Sequence, residues 1–125
     1  MSRHGRDGGS ASIWLLACCA LLLAVAFAGT VRAAAVVARH RAESAADLAA
    51  LAAAGQIGVS DAICATAARI AAANEASVRR CRPVLASGGR SGTVTVWLAM
   101  HVQLPVVGSR EVVASARAGR DAIVP

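Results

Sequence analysis

From Ala11 to Val31 the chain carries no charge. As a helix rising about 1.5 Å per residue, that run reaches about 30 Å, the thickness of a bilayer's hydrocarbon core. Ser10 is placed to cap its start, with Gly8 and Gly9 marking a boundary before it. Trp14 falls where an indole is comfortable at the membrane interface. Three fates are open to such a run. A cleaved signal peptide fits the basic start, Arg3 and Arg6, and a small-x-small site, Ala26-Phe27-Ala28, with the cut after Ala28. A lipoprotein fits loosely at Leu15-Leu16-Ala17-Cys18, but too little apolar chain precedes Cys18 and too much lies beyond it. Cys18 and Cys19 read instead as small hydrophobes within the membrane. The third fate is an uncut helix that continues outward.

The residues beyond Val31 support continuation. No Pro or Gly occurs among them until Gly55, and the segment is built almost wholly of helix-favouring residues. Arg39, Glu43 and Asp47 recur every fourth residue as a polar stripe, and Val37, Ser44, Leu48 and Leu51 make a weakly apolar one. One helix from about Ser10 to Ala54 is expected, lipid-soluble in its first half and amphipathic in its second. A cut after Ala28 would discard half of that unit. The organisation is then a cytoplasmic basic tail (1–9), a transmembrane helix (10–32), a helical stem (33–54) and a small outer domain (55–125). Charge leaves the orientation nearly balanced, since Arg3 and Arg6 precede the run and Arg32, Arg39 and Arg41 come after it.

The outer domain begins where Gly55-Gln56-Ile57-Gly58 breaks the stem. Ser60 is placed to cap a second helix over Asp61–Asn74, with Ile63, Ala67, Ile70 and Ala71 on one face and Asn74 as a left-handed end. The period then changes to two. Val94, Val96, Leu98, Met100, Val102 and Leu104 alternate with more polar partners, which predicts a strand. Residues 87–92 turn the chain before it. Val78–Leu85 is the partner strand, with Pro83 pointing to an edge. Pro105–Ser109 turns again, and Glu111–Ala118 is a third strand. The fold class expected is α+β, a long N-terminal helix with a second helix packed on a three-stranded antiparallel sheet.

About seventy residues is near the lower limit for an independent core, and this chain has one Phe, two Trp and no Tyr. Two cysteines in the polar part, Cys64 and Cys81, suggest one disulfide, with two buried free thiols as the alternative. A disulfide places the domain outside the cytoplasm.

The formal charge is +6, and all thirteen basic residues are Arg. Nucleic acid or anionic lipid would suit that charge. Only Arg79, Arg80 and Arg82 cluster, however, and no aromatic platform neighbours them in sequence, so scattered solvated arginines are the simpler account and no nucleic-acid partner is expected. His4, His40 and His101 are isolated, so no metal site is expected. Glu43 and Asp47, one turn apart, belong to a solvated stripe rather than an acid-base pair. Trp97, on the more polar strand face, reads either as a contact residue or as packed against the stem, and the stem is the expectation. No catalytic residues and no cofactor are expected.

Two stretches, DGGSASIWLLA (7–17) and RHRAESAADLAALAAA (39–54), together with the cysteine pair and the ending Ser115-Ala116-Arg117-Ala118-Gly119, resemble the TadE-like proteins of tight-adherence (Flp-type) pilus systems, specifically the short actinobacterial branch. The similarity extends over most of the chain. It implies a membrane-anchored, non-catalytic pilin-like subunit, a pseudopilin or minor pilin of a tad-type pilus or secretion system. Its partners would be the membrane, other assembly subunits and copies of itself. Ala20, Ala24 and Ala28 form a ridge of small residues suited to close helix approach. The resemblance also implies processing after Gly9, leaving Ser10 first. The Glu that such proteins carry five residues beyond the cut is here Trp14, a departure that favours an accessory role. The alternative is a small secreted binding module released by signal peptidase.

Overall fold

The computed structural model describes residues 8–122. Residues 1–7 of the basic tail, with Arg3, His4 and Arg6, lie outside the described residues, and Gly8 and Gly9, also assigned to the tail, belong to the first helix. The elements run α1 (Gly8–Gly55), α2 (Ile63–Ala73), β1 (Ala76–Leu85), β2 (Gly92–Leu104) and β3 (Gly108–Arg120). The class is α+β, as the alternating periods require.

The first helix is unbroken over 48 residues, about 70 Å by the helical rise. It starts earlier than the predicted Ser10 cap, because Gly8 and Gly9 are themselves helical. Glycine permits a turn without compelling one, and nothing crowds the backbone at Gly9. The helix ends where expected. Gln56 and Ile57 close it by bonding back to the carbonyls of Ala53 and Ala54, and Gly58 takes a left-handed turn at φ 73°. A side chain at Gly58 would also press on the backbone of Arg90.

Ser60 does not cap α2, contrary to its sequence assignment. The cap residue is Ala62, without a side-chain bond. Ser60 donates to Gln56 Oε1 at 2.8 Å and accepts from the Ala62 amide, so it ties the linker together. Asn74 is not left-handed either, with φ −106°. Its amide side chain is held by the Ile70 carbonyl at 2.9 Å, and the left-handed turn passes to Glu75 at φ 57°.

The strands form an antiparallel sheet in the order β1-β2-β3, with Pro83 on an edge strand as predicted. One irregularity matters. Val78 pairs with Leu98 and Arg80 with Trp97, so Arg79 is an extra residue, a bulge. In a regular strand Val78 and Cys81, three apart, would face opposite ways. The bulge restores Cys81 to the side of Val78, opposite Val96.

That side of the sheet carries the core. Val94, Val96, Leu98 and Met100 pack with Ile57, with Ile63, Ala67 and Ala71 of α2, and with a stripe of stem alanines. The stem lies over β2 and β3, and α2 lies over β1. The predicted apolar stem stripe is not the buried one. Val37, Leu48 and Leu51 are each more than half exposed, while Ala42, Ala45, Ala46, Ala49, Ala50 and Ala53 are buried. Alanine lets a helix backbone lie close to a sheet of branched side chains, and the larger residues are left facing out.

Candidate membrane and packing surface

The lower half of α1 stands clear of the rest of the protein. Ile13, Trp14, Leu16, Leu22, Val25 and Phe27 are all exposed, and no part of the most apolar stretch is buried. Among the described residues this is the one helix long and apolar enough to cross a membrane. The Thr30 hydroxyl is provided for there: it donates to the Phe27 carbonyl at 2.7 Å, so it need not seek water.

Ala20, Ala24 and Ala28 are exposed on this bare stretch. Each stands eighteen residues, about five turns, before Ala38, Ala42 and Ala46, which the outer domain buries. The two alanine sets therefore share one face of the helix, with Val31 between them, free below and covered by the outer domain above. Gly9 and Ser10 lie in the first turn of α1.

A second surface is the outward side of the stem. Val36, Val37, Leu48 and Leu51 are exposed there. Arg39 and Glu43 form an exposed ion pair at 2.9 Å on the adjoining stripe, with His40 on the same carboxylate. At exposed positions such pairs contribute a few tenths of a kcal/mol, about 0.3–0.5.

The third surface is the sheet face that no helix covers. Trp97 lies there, not against the stem as its sequence context suggested, because its strand neighbours Val96 and Leu98 take the helix side. The Arg80 guanidinium sits over its ring at 5.7 Å. The cluster of Arg79, Arg80 and Arg82 thus has an aromatic beside it after all, brought from another strand, and linear sequence could not show this. Arg79 is itself engaged, with Nη2 2.6 Å from Glu111 Oε2.

Cys64 on α2 and Cys81 on β1 are joined by a disulfide, with Cα atoms 5.8 Å apart. Cys18 and Cys19 are free and exposed on the bare helix. A groove of about 940 Å³ separates Ala34–Arg41 of the stem from Met100–Gln103 of β2. It is open and lined by scattered side chains with no convergent polar set. Among the described residues no group of three His, Cys, Asp or Glu is placed to hold a metal ion, and all buried residues are hydrophobic.

Comparison with known families places its match on this same helix. The model of the Flp pilus-assembly TadE/G-like family matches residues 9–56, which is α1 to within one residue at each end. The resemblance seen in the sequence is to that family. It is confined to the helix, less than half the chain, rather than extending over most of it, and the disulfide-linked sheet lies beyond the match. No curated protein and no solved structure matches the chain.

Proposed function

We propose that this chain, whose long helix matches the TadE/G-like Flp pilus-assembly family, is a membrane-anchored, pilin-like component of a tad-type pilus or secretion system. It acts by helix packing and performs no catalysis. The carrying observation is the division of one unbroken helix into a bare apolar half and a half clothed by a compact domain. A chain cut after Ala28 would lose the bare half and leave the stem starting in mid-helix.

In this account residues 10–32 span the bilayer, and the disulfide-bearing domain sits outside the cytoplasm, where such a bond persists. The Ala20–Ala24–Ala28 ridge receives a neighbouring helix, because small residues let backbones approach and pack in lipid. The outer domain overhangs that same side, so the neighbour approaches from below it, displaced along the membrane normal. The exposed Val/Leu stripe of the stem offers a second face to further subunits. Processing after Gly9 would leave Ser10 first and Trp14 where related precursors carry Glu, which suits an accessory subunit better than the main one.

Alkaline carbonate extraction of cells making the native chain, with intact mass of the retained protein, tests the anchor. Retention in the membrane pellet with a start at Met1, Ser2 or Ser10 is expected. Recovery in the medium with a start at Gly29 would make the protein a secreted module and end the proposal.

A further inference from the structure

The turn between β2 and β3 has an odd composition for an exposed loop. It is Pro105-Val106-Val107, and no residue from Val102 to Ser109 carries a charge. Val106 is 81% exposed and Val107 is 46% exposed. Val106 also holds φ 70° at the centre of a tight turn closed by the Val107 amide on the Pro105 carbonyl at 2.8 Å, a strained γ-turn geometry that β-branched residues strongly disfavour and that Gly tolerates best. The fold therefore gains neither burial nor turn geometry from valine at this position. An apolar, strained tip of this kind points to a role outside the domain.

Its height along α1 says what it meets. Arg120 donates to the carbonyls of Gly55 and Ile57, and it pairs with Gly92 at the start of β2. One end of the sheet is thereby pinned to the top of the stem. From Gly92 to Leu104 the strand covers about 40 Å. The same journey down α1, from Gly55 to Val31, is about 36 Å. The groove agrees with this alignment, with Ala34, Val37 and Ala38 facing Val102 and Gln103. Val31 is itself half-buried, although Thr30 and Arg32 on either side are exposed, so the outer domain reaches down to that level. Val31 is the last residue of the uncharged run.

We propose that the Pro105–Val107 tip is a second membrane contact, inserting its two valines into the interfacial layer of the bilayer that α1 spans. Exposed Arg32 and Arg110 stand near the same level, matching an anionic lipid surface. Two contacts, one helix and one hairpin tip, fix the tilt and rotation of the outer domain over the membrane, where a single helix would leave it free to swing. The proposal rests on the anchored reading of α1, and its test separates the two.

The full chain is reconstituted in phosphatidylcholine–phosphatidylglycerol vesicles with one environment-sensitive nitrobenzoxadiazole label per molecule. The label is placed at Val106→Cys or Ser87→Cys, each with Cys18→Ala and Cys19→Ala, or at native Cys18 with Cys19→Ala. Ser87 lies in the loop at the opposite end of the sheet. The Cys18 label reports helix insertion. Expected is a blue-shifted label at 106, quenched by headgroup-depth nitroxide lipid several-fold more strongly than the label at 87. Val106→Gly should melt at the same temperature as the parent or higher, because Gly accepts the positive φ of this turn without strain. A buried Cys18 label with equal, water-like signals at 106 and 87 would overturn the tip contact alone. A blue-shifted label at 106 that lipid nitroxide fails to quench would assign the tip to a protein neighbour and overturn it too. A water-exposed Cys18 label would remove both the anchor and the tip contact. A clear drop in melting temperature for Val106→Gly would mean that valine serves the fold, contradicting the premise.

Discussion

Cys81 stands opposite Val96 on the helix-facing side of the sheet, and only because Arg79 is looped out as a bulge does it face Cys64. Covalent and hydrophobic cores thus meet at one place. The disulfide closes a separation of 17 residues, for which the chain-entropy relation gives about 3 kcal/mol. Replacing both cysteines with Ala should lower unfolding stability by about that amount, measured by denaturant titration of the detergent-solubilised chain. Deleting Arg79 regularises the ladder but leaves Cys81 opposite Val96, so non-reducing peptide mapping should still find Cys64 joined to Cys81. Free, alkylatable Cys64 in that deletion would show that the bulge does more than accommodate an extra residue.

Much of this domain was legible in the sequence, and the parts that were not have identifiable causes. The two-residue period of 93–104 revealed β2 because one side of that strand is buried and the other is open. The uncharged run, and the absence of Pro and Gly from residues 32–54 beyond it, revealed α1. The buried side of the stem was missed because hydrophobic periodicity favours large residues, and here the close contact is made by Ala42, Ala46, Ala49 and Ala53 while Leu48 and Leu51 face out. The Arg80–Trp97 contact was missed because it crosses strands, through a bulge that shifts the register by one.

The stem makes a contrast that a pair of variants can test. Ala49 has no exposed surface and lies between α1 and its covering layer. Ala49→Leu overfills that contact and should cost about 1–3 kcal/mol of stability. Leu48→Ala, one residue away on the open side, should leave the melting temperature of the isolated chain nearly unchanged. If the exposed stripe serves a neighbour, the same Leu48→Ala should weaken assembly. Equal stability losses in both variants would mean that Leu48 is covered in the isolated chain.

Gly92 begins β2 where the backbone of Val84 and Leu85 passes close by. A Cβ there would overlap the Val84 carbonyl oxygen and press on Leu85 Cα, both backbone atoms that cannot swing aside. Gly92→Ala should therefore destabilise the β1–β2 hairpin by about 1–3 kcal/mol, while Gly88→Ser in the neighbouring loop meets open space and only the strain of its left-handed φ. Faster hydrogen exchange along β1 in Gly92→Ala than in Gly88→Ser would verify the difference.

The Arg80–Trp97 pair lies on the open sheet face, so its contribution should be small. A double-mutant cycle with Arg80→Ala and Trp97→Ala should return a coupling of about 0.5–1 kcal/mol. No coupling would leave the two side chains as independent surface groups available to a ligand or partner.

Association between full-length copies in vesicles, read by energy transfer between labels at Ser87→Cys in a Cys18→Ala/Cys19→Ala background, tests the packing account most directly. Ala24→Leu thickens the centre of the small-residue ridge without reducing the helix's affinity for lipid, and Leu22→Ile alters another side of the helix. The account predicts that Ala24→Leu loses most of the transfer while Leu22→Ile keeps it. Equal transfer in the parent, Ala24→Leu and Leu22→Ile would contradict it, leaving α1 as a lone anchor and its alanines as composition without a partner.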